Sequence, residues 1–108
     1  MEGLTEILIV NAEMTVRLSE KEMFFGRRLI SRENIQPGDR FKIYKNRFGD
    51  ICLTRSEDGL EVFARNKTQR VLYSVDLVRH IGSGIGTYFV TVKQYGELRV
   101  IEIGRKVN

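Results

Sequence analysis

The 108-residue chain contains one cysteine, one histidine, one proline and no tryptophan. Each scarcity removes a class of explanation. A lone Cys52 cannot form an internal disulfide, and with His80 as the only histidine no zinc site of cysteines and histidines can be assembled within one chain. Cys52 lies in an alternating apolar run, where a free cysteine ordinarily acts as a small buried hydrophobe. Long hydrophobic runs are also missing: no stretch approaches the ~18 apolar residues of a transmembrane helix. The N-terminus, Met1-Glu2-Gly3-Leu4-Thr5-Glu6-Ile7, carries acids where a secretory leader carries positive charge. The expectation is a cytoplasmic protein that neither crosses nor anchors to a membrane.

Catalytic groupings are equally scarce. Ser19, Ser74 and Cys52 have no base close by in sequence, and the two serines suit helix caps better than nucleophiles. Glu57, Asp58 and Glu61 surround a turn, where acids serve backbone hydrogen bonding and solubility. Gly82-Ser83-Gly84-Ile85-Gly86 lacks the Gly-Lys-Ser/Thr ending of a phosphate-binding loop and the spacing of a dinucleotide fingerprint, so it reads as a connector. The chain is therefore expected to be a binding module without enzymatic activity, metal, cofactor or small-molecule substrate.

What is present is the composition of a globular domain, with 42% hydrophobic and 30% charged residues. The length fits one domain spanning 1–108, and a core this small makes a homodimer a natural source of added stability. Eighteen lysines and arginines against fourteen acids give a net charge of +4, a mild excess compatible with nucleic acid or an acidic protein.

Alternation and turn signals dominate the chain. Leu4 to Val10 reads as a strand covered on both faces, and Met14 to Leu18 as a half-buried one. Ser19-Glu20-Lys21-Glu22 matches a helix capping box, which predicts a short helix carrying Met23 and Phe24 and ending near Gly26-Arg27-Arg28. Leu29 to Asn34 suggests another turn, and Pro37-Gly38 a type II turn. Strands are predicted around Phe41 and Ile43, around Ile51 and Leu53, from Leu60 to Phe63 and at Val71-Leu72-Tyr73, with a short helix after Ser74. A last hairpin has arms Tyr88 to Lys93 and Leu98 to Ile103. The polar run Arg65 to Arg70 is the best internal boundary. The fold class is mainly β with short helices.

The two halves resemble each other. Phe41-Lys42-Ile43 followed by Phe48-Gly49-Asp50-Ile51-Cys52-Leu53 parallels Val90-Thr91-Val92 followed by Tyr95-Gly96-Glu97-Leu98-Arg99-Val100. Upstream, Arg17-Leu18-Ser19 and Arg70-Val71-Leu72 each open a strand-to-helix segment, which suggests a degenerate repeat over residues 14–55 and 70–103.

At Asn34-Ile35-Gln36-Pro37-Gly38-Asp39-Arg40-Phe41 and Gly49-Asp50-Ile51-Cys52-Leu53 the chain resembles the AbrB-type swapped-hairpin transcription regulators, which include the tandem-repeat MraZ regulators. The segment Arg70 to Gly82 is similar to the family's order of arginine, strand, helix, arginine and glycine. It lacks the usual Ile-Pro step, and the first copy lacks the proline and carries extra residues around Phe25 to Arg28. The resemblance implies a small barrel of interleaved hairpins that presents arginines to double-stranded DNA. Candidate contacts are Arg17, Arg27, Arg28 and Arg32 in the first copy and Arg65, Lys67, Arg70 and Arg79 around the second, because guanidinium forks donate paired hydrogen bonds to phosphate and guanine. The competing reading is a small β-barrel adaptor that binds a protein or RNA through a sheet edge or the tip aromatics Phe48 and Tyr95.

Overall fold

The computed structural model describes residues 13–81 and 84–107. It is mainly β, with one antiparallel sheet curled into a nearly closed barrel. The strands are β1 Thr15–Leu18, β2 Glu22–Phe25, β3 Arg40–Lys45, β4 Ile51–Arg55, β5 Leu60–Glu61, β6 Phe63–Ala64, β7 Arg70–Tyr73, β8 Gly86–Tyr95 and β9 Leu98–Lys106. A seven-residue helix, α1 Arg27–Glu33, and a single turn, α2 Leu77–His80, complete it. The expected strand Leu4 to Val10 lies outside the described residues. No helix is long and apolar enough to cross a membrane among the described residues.

The sheet order is β5-β3-β4-β9-β8-β1-β2-β7-β6. Hairpins interleave in it, since β1 and β2 stand between β8 and β7. The two ends of the sheet are brought together by one bent segment: β5 pairs with β3, β6 pairs with β7, and Val62 sits at the bend. Val62 donates its amide to the Asp39 carbonyl and accepts from the Gly38 amide, so its backbone groups are satisfied where the strand breaks. This arrangement leaves little unpaired sheet edge to template association.

Exchanging β3 with β8 and β4 with β9 maps the run β3-β4-β9-β8 onto itself, and exchanging β2 with β7 maps that antiparallel pair onto itself. β7 therefore takes the place that matches β2. The sequence likeness of Arg70-Val71-Leu72 to Arg17-Leu18-Ser19 places β7 opposite β1 instead.

Two local expectations are corrected. Ser19 begins the tight turn of the β1–β2 hairpin, not a helix, and residues 22–25 are a strand. The hydrogen bond that suggested a cap is present, since the Glu22 amide donates to Ser19 Oγ at 3.2 Å, but a hairpin turn uses the same bond. Met23, Phe24 and Phe25 are all buried, which a two-sided strand between β1 and β7 accommodates and an isolated helical turn does not. Helix α1 starts, rather than ends, at Arg27. It closes on Asn34 in the left-handed conformation (φ 50°), a C-terminal geometry that asparagine tolerates well. The Pro37-Gly38 turn forms as expected, with Gly38 at φ 94° and the Asp39 amide bonded to the Gln36 carbonyl. Residues 65–69 join β6 to β7 within the same sheet, with the Arg65 amide bonded to the Gln69 carbonyl.

Inside the barrel, Val16, Leu18, Met23, Phe25, Leu53, Leu72 and Ile101 meet from successive strands. Leu29 from α1 and Ile35 just beyond it join the same cluster, so the helix packs its apolar side onto the core. Polar ties hold the helix end in place. Arg99 on β9 grips Glu33 with two bonds of 2.6 and 2.8 Å, while Arg55 on β4 reaches the Glu33 carbonyl and the Asp39 carboxylate.

The bonds from Arg99 hold the Glu33 carboxyl below its ordinary pKa. Burial opposes the ionised Asp39, yet the Gln36 amide and Arg55 outweigh it and lower that pKa as well. Both carboxylates thus stabilise the fold above their unfolded values of 4.5 and 3.8, and this contribution falls away as pH drops through the depressed folded values. A thermal-melt series from pH 6 to pH 2 is expected to show a steep acid decline that Glu33→Gln flattens. An unchanged acid limb in that variant would contradict the assignment.

Candidate nucleic-acid interface

On β1, Val16 and Leu18 point into the barrel, so Thr15 and Arg17 face outward. The same alternation turns Phe24 outward on β2. Register then builds a row across four strands, with Thr87 beside Arg17, Arg17 beside Phe24, and Phe24 beside Val71. Phe24 is only 8% exposed despite facing out, since the Arg17 guanidinium lies over its ring at 4.1 Å and that of Arg65 at 5.3 Å. Glu22, also outward on β2, binds Arg65 at 2.7 Å and fixes it over the ring.

A second stack lies two strands away on the same surface. Phe89 on β8 pairs with Thr15, and the Arg105 guanidinium from β9 covers its ring at 4.5 Å. Neither Arg17 nor Arg105 has a carboxylate partner among the described residues. Arg27, at the start of α1, joins Thr15, Arg17, Gly26, Thr68, Gln69 and Thr87 around a shallow cleft beside Phe24. Gly26 is required there, because a Cβ at this position would collide with the Thr15 carbonyl.

Stacking has a chemical consequence. A guanidinium held over an aromatic ring loses little mobility on binding, yet N–H groups that the ring does not engage remain free to donate. The hydroxyls of Thr15, Thr68 and Thr87 and the amide of Gln69 add neutral hydrogen-bonding groups around the cleft.

The sequence-derived candidates separate into groups. Arg17, Arg27 and Arg65 converge on this surface, and Lys67 is exposed in the adjoining turn. Arg28 and Arg32 are exposed on α1 and do not line the cleft. Arg70 is turned into its own loop, donating to the carbonyls of Gln69, Asn66 and Lys67. Arg79 pairs with Asp76 at 3.5 Å on α2. Arg105, with its Phe89 support, escaped the sequence reading: it lies opposite β8 only through a register shift between Tyr88 and Val90 that no local pattern marks.

Among the described residues there is no group of three or more histidine, cysteine or acidic side chains placed to hold a metal ion. Comparison with protein-family models, with curated proteins and with solved structures gave no match to this chain.

Proposed function

We propose that the chain binds double-stranded DNA through the outer surface of β9, β8, β1, β2 and the β6–β7 turn, and that it acts in the cytoplasm as a transcription regulator of the swapped-hairpin kind. The observation that carries this reading is the pair of stacked guanidiniums, Arg17 on Phe24 and Arg105 on Phe89, without carboxylate partners among the described residues. Arg27 extends the positive surface, Arg65 stays tied to Glu22 beside it, and Lys67 adds an exposed charge at its edge. Preorganised arginines with threonine hydroxyls between them suit a row of phosphates, while their forks retain the geometry for guanine edges. The interleaved hairpins agree with the architecture that the resemblance implies.

Engagement of about four phosphates gives a log–log salt slope of roughly −3 to −4, so duplex affinity should fall about a hundredfold between ~50 and ~200 mM salt. Fluorescence anisotropy with a labelled duplex across that range measures the slope. Absence of salt-sensitive duplex binding at low ionic strength would refute the proposal.

A further inference from the structure

A different surface carries a second inference, independent of the nucleic-acid reading. We propose that the outward face of β3, β4 and β9 docks against the same face of a second copy of this chain.

Register places Tyr44, Cys52 and Glu102 in one outward row, and Lys42, Thr54 and Val100 in the next. Cys52, Thr54 and Val100 point away from the core, yet each is almost inaccessible, because they form the floor of a groove. Its rims are Tyr44 and Phe48 from one hairpin and Tyr95 and Leu98 from the other, every one of them more than half exposed. Exposed apolar residues are ordinary when scattered, but four around one apolar floor mark an interaction surface.

Charge identifies the occupant. Within the face, Lys93 is paired with Glu102 at 2.9 Å and Lys42 with Asp58 at 3.0 Å. The groove ends are different. Arg47, stacked on Phe48 at 5.2 Å, sits at the tip that follows β3, and Glu97 sits at the tip between β8 and β9; neither has an ionic partner among the described residues. The two tips lie at opposite ends of the β4–β9 ladder, beyond Ile51–Ile103 and beyond Thr54–Val100 respectively.

A symmetric face-to-face dimer needs both halves of each complementary contact on one surface. A twofold axis parallel to the strands would set Arg47 against Arg47. An axis across the strands sets Arg47 and Phe48 of each copy against Glu97, Tyr95 and Leu98 of the other, twice. The charges select the second arrangement, in which the aromatic rims also cover both floors.

Sedimentation velocity on the full chain tests this. The wild-type protein is expected to dimerise, Phe48→Ser with Leu98→Ser to be monomeric, and Arg47→Glu or Glu97→Arg alone to weaken association about tenfold, since each reverses both symmetry-related contacts. An equimolar mixture of the Arg47→Glu and Glu97→Arg chains should recover the wild-type constant, because both contacts become attractive again in the heterodimer. Circular dichroism verifies that each variant keeps its β signal. A wild-type chain that stays monomeric up to about 100 µM, or a mixture no tighter than either variant, would overturn the proposal, whether the groove is empty or takes another protein.

Discussion

A chain carrying Arg17→Glu and Arg105→Glu is expected to bind duplex DNA about a hundredfold or more weakly than the wild type at moderate salt. Each charge-assisted hydrogen bond to phosphate is worth roughly 1.5–3 kcal/mol, so losing two amounts to at least two powers of ten before repulsion is added. The salt slope should shrink by about 2, the number of phosphate contacts removed. Folding is little affected, since an exposed cation–π contact contributes only about 0.5–1 kcal/mol, and both arginines lie on the outer surface.

The informative control is Arg70→Ala with Arg79→Ala. Arg70 is engaged with the carbonyls of its own turn and Arg79 with Asp76, so duplex affinity is expected to change less than about threefold. Arg70→Ala should lower stability instead, because three turn carbonyls lose a donor. Anisotropy titrations of both double variants decide the matter. Equal losses in the two would mean that the stacked arginines are not the contact surface.

Phe41→Ala is expected to lower stability by about 3–5 kcal/mol, a large part of the roughly 5–15 kcal/mol that a domain of this size possesses. The side chain is 1% exposed, and its ring lies 5.6 Å from that of Phe25, where β3 meets the core cluster. Collapse around the cavity is hindered on the backbone side. Gly59 presses so closely on the Phe41 carbonyl that even a Cβ could not be placed there. The Arg55 guanidinium 5.2 Å from the ring also loses its support while it holds Glu33 and Asp39. Urea unfolding should show the midpoint falling at constant m-value, and Phe41→Leu should cost less than about 1.5 kcal/mol. An alanine variant as stable as the wild type would show that the barrel interior can repack.

Strands β3, β4, β8 and β9 were legible because period-2 alternation bounded by glycine turns is a local signal that packing reinforces. The second hairpin turns through Gly96 at φ 60°, a conformation glycine adopts freely. β2 was not legible. The segment leading into it satisfies a helix cap and a hairpin turn equally well, and only pairing on both sides, with β1 across the turn and with β7 some fifty residues on, settles which backbone buries three consecutive apolar side chains.

The candidate surface divides in the same way. Arginine content and the mild positive charge are properties of the sequence, and they pointed to eight candidate positions without Arg105. Which arginines stand on rings, which clamp a turn and which pair with acids depends on cross-strand register, which joins Arg17 to Phe24 and Arg105 to Phe89. By itself the sequence determined a strand-rich chain with its glycine turns in place, because alternation and turn chemistry act over a few residues. The nearly closed order of nine strands, the bend at Val62 and the stacked arginine surface were decided only by tertiary structure, because each brings together segments tens of residues apart.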